Sequence, residues 1–271
     1  MDEPLRETPW RQVNIAYPGN RQQRERHAIG HLVRILPAAE ADGLITAWWW
    51  IRKGPWRIRY LPTEEAGGDD LVHPLLTADV TWTGDIYEPE THAFGGEASM
   101  DTAHTLFHRD SRHLLAYLHD DPADRREHSL VLCTALMRAA GLDWTEQGDV
   151  WATVAEQRDG LQPPIPRSQA WASFTGDVRH LLLGAASTDT IASEWLAAFT
   201  DTGAALRTLR ETGRLTRGLR AVIALHVIFH LNRIGIPATT QASLARAAKH
   251  AVFGSPPHDR SAGIARFQVE G

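Results

Sequence analysis

Residues 44–62 read LITAWWWIRKGPWRIRYLP, and their period decides the fold. Two runs rich in aromatic and β-branched residues, LITAWWWIR and WRIRYLP, flank Lys53–Gly54–Pro55, which has turn chemistry. The pattern predicts a β-hairpin. Successive side chains of a strand point to opposite faces, so Trp56, Ile58 and Tyr60 face one way and Arg57 and Arg59 the other. Upstream, WRQVNIAY at 10–17 alternates like a strand and stops at Pro18–Gly19. Downstream, ADVTWTGDIY at 78–87 reads as another strand, beyond an acidic, glycine-containing loop at 63–70. Between the first strand and the hairpin, Ile29, Leu32, Val33 and Leu36 recur at helical spacing, predicting a helix from Gln22 to about Leu44. The first third is therefore an antiparallel sheet with a packed helix.

After Gly96 the pattern turns helical. Helices are expected near 98–119, 126–141, 143–158, 190–211, 216–234 and 239–252, with Thr188 and Asp189 as caps for the fourth. DGLQPPIPRSQ at 159–169 is the clearest linker, and the stretch after Gly254 is expected to be loose. The fold class is α+β. One domain is expected over 1–271, with a sheet-rich part at about 1–97, a mostly α-helical half at about 98–254 and a tail at 255–271.

The totals bound the function. The chain has 271 residues, 43% hydrophobic and 23% charged, an ordinary globular composition. A net charge of −5 argues against general nucleic-acid binding. The N-terminus is polar, and no apolar run approaches the ~18 residues of a membrane span, so a soluble, cytoplasmic protein without membrane contact is expected. Cys133, the single cysteine, excludes an internal disulfide and reads as a packing residue in SLVLCTALM. Ten tryptophans are many for this length, and four of them crowd into Trp48, Trp49, Trp50 and Trp56. They suit a core or the floor of a peptide site.

Two helices carry histidine pairs at i,i+4: His104/His108 and His226/His230. That spacing is found at zinc sites, but no Glu follows the first histidine of either pair, and buried, hydrogen-bonded rings are the plainer reading. No metal and no cofactor is expected. His230 stands out because Asn232 and Arg233 lie within one turn of it, placing an imidazole, an amide and a cation together. No phosphate-binding loop or nucleophile-elbow motif is present.

Four landmarks in order, WWWIRKGPWRIRY, IYEPETHAFGG, MDTAHTLFHRDS and HVIFHLNRIGI, resemble the C-terminal domain of lantibiotic dehydratases, also found free-standing in thiopeptide-type bacteriocin biosynthesis. The resemblance covers roughly residues 10–240. It implies work on a ribosomally synthesised precursor peptide. A larger partner glutamylates Ser or Thr, and this domain eliminates glutamate to leave dehydroalanine or dehydrobutyrine. It also implies roles for residues: His230 as acid or base, Arg57 and Arg59 as carboxylate clamp, and Glu90 as a further catalytic group. His92, His104, Trp56, His226, Asn232 and Arg233 are the expected substrate-binding residues. One departure stands out: where the nisin-type pattern has Arg three residues after the Glu, this chain has Ala93, and Phe94 replaces a Tyr. His92 is one possible substitute. The departure favours a second reading, a pyridine synthase joining two dehydroalanines in a formal [4+2] cycloaddition. A third reading, suggested by the Trp-rich hairpin, is a non-catalytic precursor-binding partner.

Overall fold

The computed structural model describes residues 9–63, 70–161, 169–184 and 191–254. Strand β1 (Arg11–Ala16) is followed by helix α1 (Arg21–Ala41), the hairpin strands β2 (Ile45–Arg52) and β3 (Trp56–Pro62), a short helix α2 (Val72–Thr77) and β4 (Thr81–Asp85). The four strands form one antiparallel sheet in the order β2-β3-β1-β4. The α+β class and the hairpin reading hold. Both follow from the period-two pattern and the Gly54 turn, whose φ of +83° suits glycine.

The pairing register sorts the side chains. Trp48 faces Tyr60, Trp50 faces Ile58, and Ile58 faces Val13, building an apolar face. On the opposite face Trp49 pairs with Arg59, Arg59 with Gln12, and Arg57 with Asn14. Helix α1 closes the apolar side. Its N-terminus is fixed by a capping box between Asn20 and Gln23. Its far end accepts the Trp48 indole N–H on Glu40 at 2.8 Å.

All four hairpin tryptophans are buried, with Trp49 and Trp50 fully inaccessible. They build the core, which removes the motive for reading the hairpin as a peptide floor. The outer edge of β2 is covered: His108 Nδ1, from the helix Glu97–His119, lies 3.1 Å from the Trp48 amide, and the Trp50 indole donates to the Arg233 carbonyl of the helix Leu219–Arg233 at 3.2 Å. Such edges otherwise pair with foreign strands.

The helical half comprises α3 (Glu97–His119), α4 (Arg125–Ala139), α5 (Trp144–Glu156), α6 (Gln169–Leu183), α7 (Ser193–Glu211), α8 (Leu219–Arg233) and α9 (Ala238–Phe253). Cys133 is buried in α4 as expected. Two helices go beyond the sequence expectation. Helix α2 is only six residues long. Helix α6 has Trp171, Phe174, Val178 and Leu182 near helical spacing, but it directly follows the proline-rich linker, which masked its start. The expected caps Thr188 and Asp189, most of the linker and the tail from residue 255 lie outside the described residues. Among the described residues no helix is long and apolar enough to cross a membrane.

Helices α4 and α7 approach closely at Gly203. A Cβ there would meet the Leu136 carbonyl oxygen and come within 2.8 Å of Ala139 Cβ. Alanine improves helix propensity by about 1 kcal/mol, but the obstruction is partly backbone, which cannot rotate aside. Gly203→Ala is therefore expected to destabilise by about 2 kcal/mol net, read as a lower urea midpoint at unchanged slope.

Candidate functional site

The polar face of the sheet carries Arg57 and Arg59. Arg59 is held on all sides. Its Nε donates to Gln12 Oε1 at 2.6 Å, and its guanidinium lies 4.4 Å from the Trp49 ring centre and 4.1 Å from that of Tyr87. Stacking between two rings fixes the cation without consuming its terminal nitrogens. Those nitrogens have no hydrogen-bond partner among the described residues. Gln12 in turn donates to Asp85 at 2.7 Å and to Asn14 at 3.0 Å. Burial lowers the Arg59 pKa to about 10, partly offset by Tyr87 and Glu90, so it remains cationic at neutral pH. Arg57, two residues away on the same face, has a buried Nε with no partner among the described residues. Buried donors are normally satisfied, so an unmet guanidinium N–H is suited to an incoming anion.

Glu90 completes the charge set. Partial burial raises its pKa above the usual carboxylate range, opposed by Arg59, Lys53 and Arg57 in that order. The residue as a whole is exposed, so water tempers the shift. It forms no salt bridge with either arginine within 4 Å among the described residues. The Glu90 carboxylate therefore feels both guanidiniums without bonding to either among the described residues. Beside them Tyr87 and His104 share a 2.8 Å hydrogen bond. Burial, then Arg59, lowers the His104 pKa to about 4, and burial raises that of Tyr87, so both are neutral at pH 7. Trp10 lies 4.8 Å from His104 and edge-on to Tyr87.

The segment after Tyr87 is a turn. The Phe94 amide donates to the Glu90 carbonyl at 2.9 Å, and the Gly96 amide donates to Thr91 at 2.9 Å. Gly95 and Gly96 have φ of +87° and +107°, and a Cβ on Gly95 would come within 2.9 Å of Leu215. Glycine is required there for both conformation and space. Ala93 offers its carbonyl to Arg217, whose Nη1 donates at 2.8 Å, so a cation does reach this loop, from the α7–α8 connection. His92 is exposed at the turn and has no side-chain partner among the described residues.

His230, read in the sequence as the acid or base, sits in a buried network with Asp110 and Ser129. His230 is fully buried on another side of α8. Its Nδ1 lies 2.9 Å from Asp110 Oδ2 and its Nε2 3.0 Å from Ser129 Oγ. Ser129 also donates its hydroxyl to the Arg125 carbonyl at 2.7 Å, which ties the His230 ring to α4. Arg233 is also fully buried and bonds Asp110 through Nε at 2.9 Å. Its guanidinium lies 4.5 Å from the centre of Phe107, and Phe107 is 4.7 Å from Trp49, so two rings separate Arg233 from Arg59. The physical reason is helical periodicity: the stripe shared by His226, Phe229, His230 and Arg233 is wide enough to face two neighbours at once.

The other expected residues also scatter. His226 is fully buried against Phe94 and Phe107, with both ring nitrogens unpartnered among the described residues. Burial, then Arg233, lowers its pKa to about 3. Trp56 lies on the apolar face beneath Arg52. Asn232 accepts from Gln241 at 2.9 Å. Of the residues singled out in the sequence, Arg57, Arg59, Glu90 and His104 assemble into one cluster. Gln12, Asp85, Tyr87, Trp10 and Lys53 join them and were missed. Only the strand register reveals Gln12 opposite Arg59, and that register is not visible in one strand alone.

Comparison with known proteins supports the fold. The family described as lantibiotic biosynthesis dehydratase C-term matches residues 10–252. The tRNA-dependent lantibiotic dehydratase MibB from Microbispora sp. 107891 is 20% identical with a TM-score of 0.63; the match covers 93% of this chain and 29% of that one. TsrL is 15% identical with a TM-score of 0.59, covering 92% of this chain and 99% of its own. TbtD, a pyridine synthase from thiomuracin biosynthesis, is 15% identical with a TM-score of 0.61, covering 90% and 97%. No curated protein matches the chain.

Proposed function

The chain belongs to the lantibiotic biosynthesis dehydratase C-terminal family, and from that premise we propose that it eliminates glutamate from glutamylated Ser or Thr of a ribosomally made precursor peptide. A larger glutamylating subunit would supply that substrate. The observation that carries the reading is a pair of guanidiniums with unpartnered nitrogens among the described residues, Arg57 at Nε and Arg59 at its terminal nitrogens, beside an ionisable carboxylate of raised pKa. Elimination needs those two things. Glu90 takes the Cα proton, the electron pair forms the Cα=Cβ bond, and the Cβ–O bond breaks. Arg57 and Arg59 receive the departing glutamate carboxylate, a match in shape and charge. The neutral Tyr87–His104 pair offers a hydrogen bond to the enolate-like oxygen without placing another cation beside Arg59. In this proposal His230 and Arg233 anchor α8, and His92, His226, Asn232 and Trp56 act outside the chemical step.

The experiment uses a synthetic peptide bearing a glutamyl ester on Ser. Free glutamate and dehydroalanine should appear, and Arg57→Ala or Arg59→Ala should slow the release about 10²-fold or more, the usual scale for losing one charge-stabilising donor. A peptide that keeps its glutamyl mass in the presence of active, folded protein sinks the reading.

Ala93 favours a second reading, pyridine formation by [4+2] cycloaddition, which releases no glutamate. A shared scaffold does not choose between the two. A peptide carrying two dehydroalanines separates them: conversion to a macrocycle would assign the cyclase instead.

A further inference from the structure

Strand β4 is the second edge of the sheet, and all five of its residues are exposed. Among the described residues nothing pairs with its outer side. Apolar side chains are left exposed on it and just after it: Trp82, within the strand, is 41% exposed and Ile86 81%. Beside Trp82 runs a groove of about 640 Å³, continued by a second of about 490 Å³. The two share Arg21, Glu25, Gly235, Ile236 and Pro237. The lining is cationic on balance. Arg52 and Arg125 are taken up by Glu25, whereas Arg24 and Arg126 have no partner among the described residues.

We propose that this edge and groove dock an extended, acidic peptide segment, which adds a strand to β4 and sets its carboxylates against Arg24 and Arg126. Free backbone groups on an exposed edge are the usual basis for strand addition, and alternate side chains of the guest would meet Trp82 and the groove. The groove also leads to the proposed reaction site. Asn14 and Thr83 line it, and Asn14 sits directly opposite Arg57 in the sheet register. A bound strand therefore holds the rest of the same chain within reach of the guanidinium pair. That this guest is the precursor peptide rests on the reading above; the docking itself does not. A net charge of −5 and the small number of groove cations without a carboxylate partner among the described residues favour a peptide over RNA.

The test is fluorescence anisotropy on the full chain, with a labelled peptide of about 12 alternating Glu and Val residues, enough to overrun β4 at ~3.4 Å per residue. The acidic peptide should bind. Arg24→Glu and N-methylation of alternate peptide amides should each weaken it about ten-fold, through charge and through strand hydrogen bonds respectively. Equal or tighter binding of the Lys–Val counterpart or of an RNA hairpin overturns the proposal, as does no binding at all. A concentration-dependent dimer abolished by Trp82→Ala would assign the edge to a second copy and overturn it too. The two readings fail separately. Peptide binding without release of glutamate removes the elimination alone, and elimination that persists while no acidic peptide binds removes the docking alone.

Discussion

Asp110→Ala should cost about 3–5 kcal/mol of stability, a large share of the roughly 5–15 kcal/mol that holds a typical domain together. Asp110 is fully buried on α3 and serves three donors: His230 and Arg233 from α8 on Oδ2, and the Trp195 indole from α7 on Oδ1 at 2.8 Å. Through His230 the network reaches Ser129 on α4. One carboxylate thus ties four helices together. Its loss strands a guanidinium in a dry interior, and that penalty, rather than the net worth of the ion pair, sets the magnitude. The consequence is measurable by urea unfolding. The double variant Asp110→Leu/Arg233→Met should lose less than Asp110→Leu alone, because it removes the stranded charge. If the double variant is the less stable, the network is not what holds the helices.

The same group fixes an acid limit. Burial pushes the Asp110 carboxyl up, but His230 and Arg233 outweigh it and hold the pKa at about 2. A depressed carboxylate contributes stability that is complete above its unfolded value, near ~4, and lost as pH falls toward 2. The shift corresponds to roughly 2 kcal/mol. Acid unfolding of the wild type should therefore show this loss between those pH values, and the Asp110 variants should lack it.

Glu90→Gln should reduce glutamate elimination by about 10²–10⁴-fold, the range for a positioned acid or base. Glutamine keeps the size and the hydrogen-bonding reach but cannot take a proton. Because Glu90 is exposed and outside the core, its circular dichroism and unfolding midpoint should stay at wild-type values. The pH profile offers an independent check. A base must be ionised, so activity should rise with pH through a pKa above the ordinary glutamate range. Arg59 is the first of the cations opposing that rise. Any residual activity of Arg59→Gln should therefore show its acid limb moved to higher pH. A limb that stays put, or moves down, assigns the proton to another group.

Much of this was legible in the sequence, and what was not has a common cause. Local patterns reported the local structure: the alternation of Trp56–Tyr60 placed Arg57 and Arg59 on one face, and Lys53–Gly54–Pro55 marked the hairpin turn. The stripe on α8 was equally visible, yet it does not say which neighbour each residue meets. His230 and His226 are separated by one helical turn, but one meets Asp110 and the other Phe94. That difference is decided by α3 and by the loop before it, whose pairing partners lie more than a hundred residues away. Gln12 and Asp85 were hidden for the same reason: their chemistry appears only once β1 is placed between β3 and β4.

The aromatic pair Phe107 and Trp49 has a lasting consequence for how this scaffold can change. It separates two cations, with the Asp110-bound Arg233 on one side and Arg59, whose terminal nitrogens have no partner among the described residues, on the other. Substitutions that retune the outward cluster for a different leaving group or a different peptide need not disturb the charge balance that holds the helices in place. A scaffold insulated in this way can drift in chemistry while its architecture stays constant.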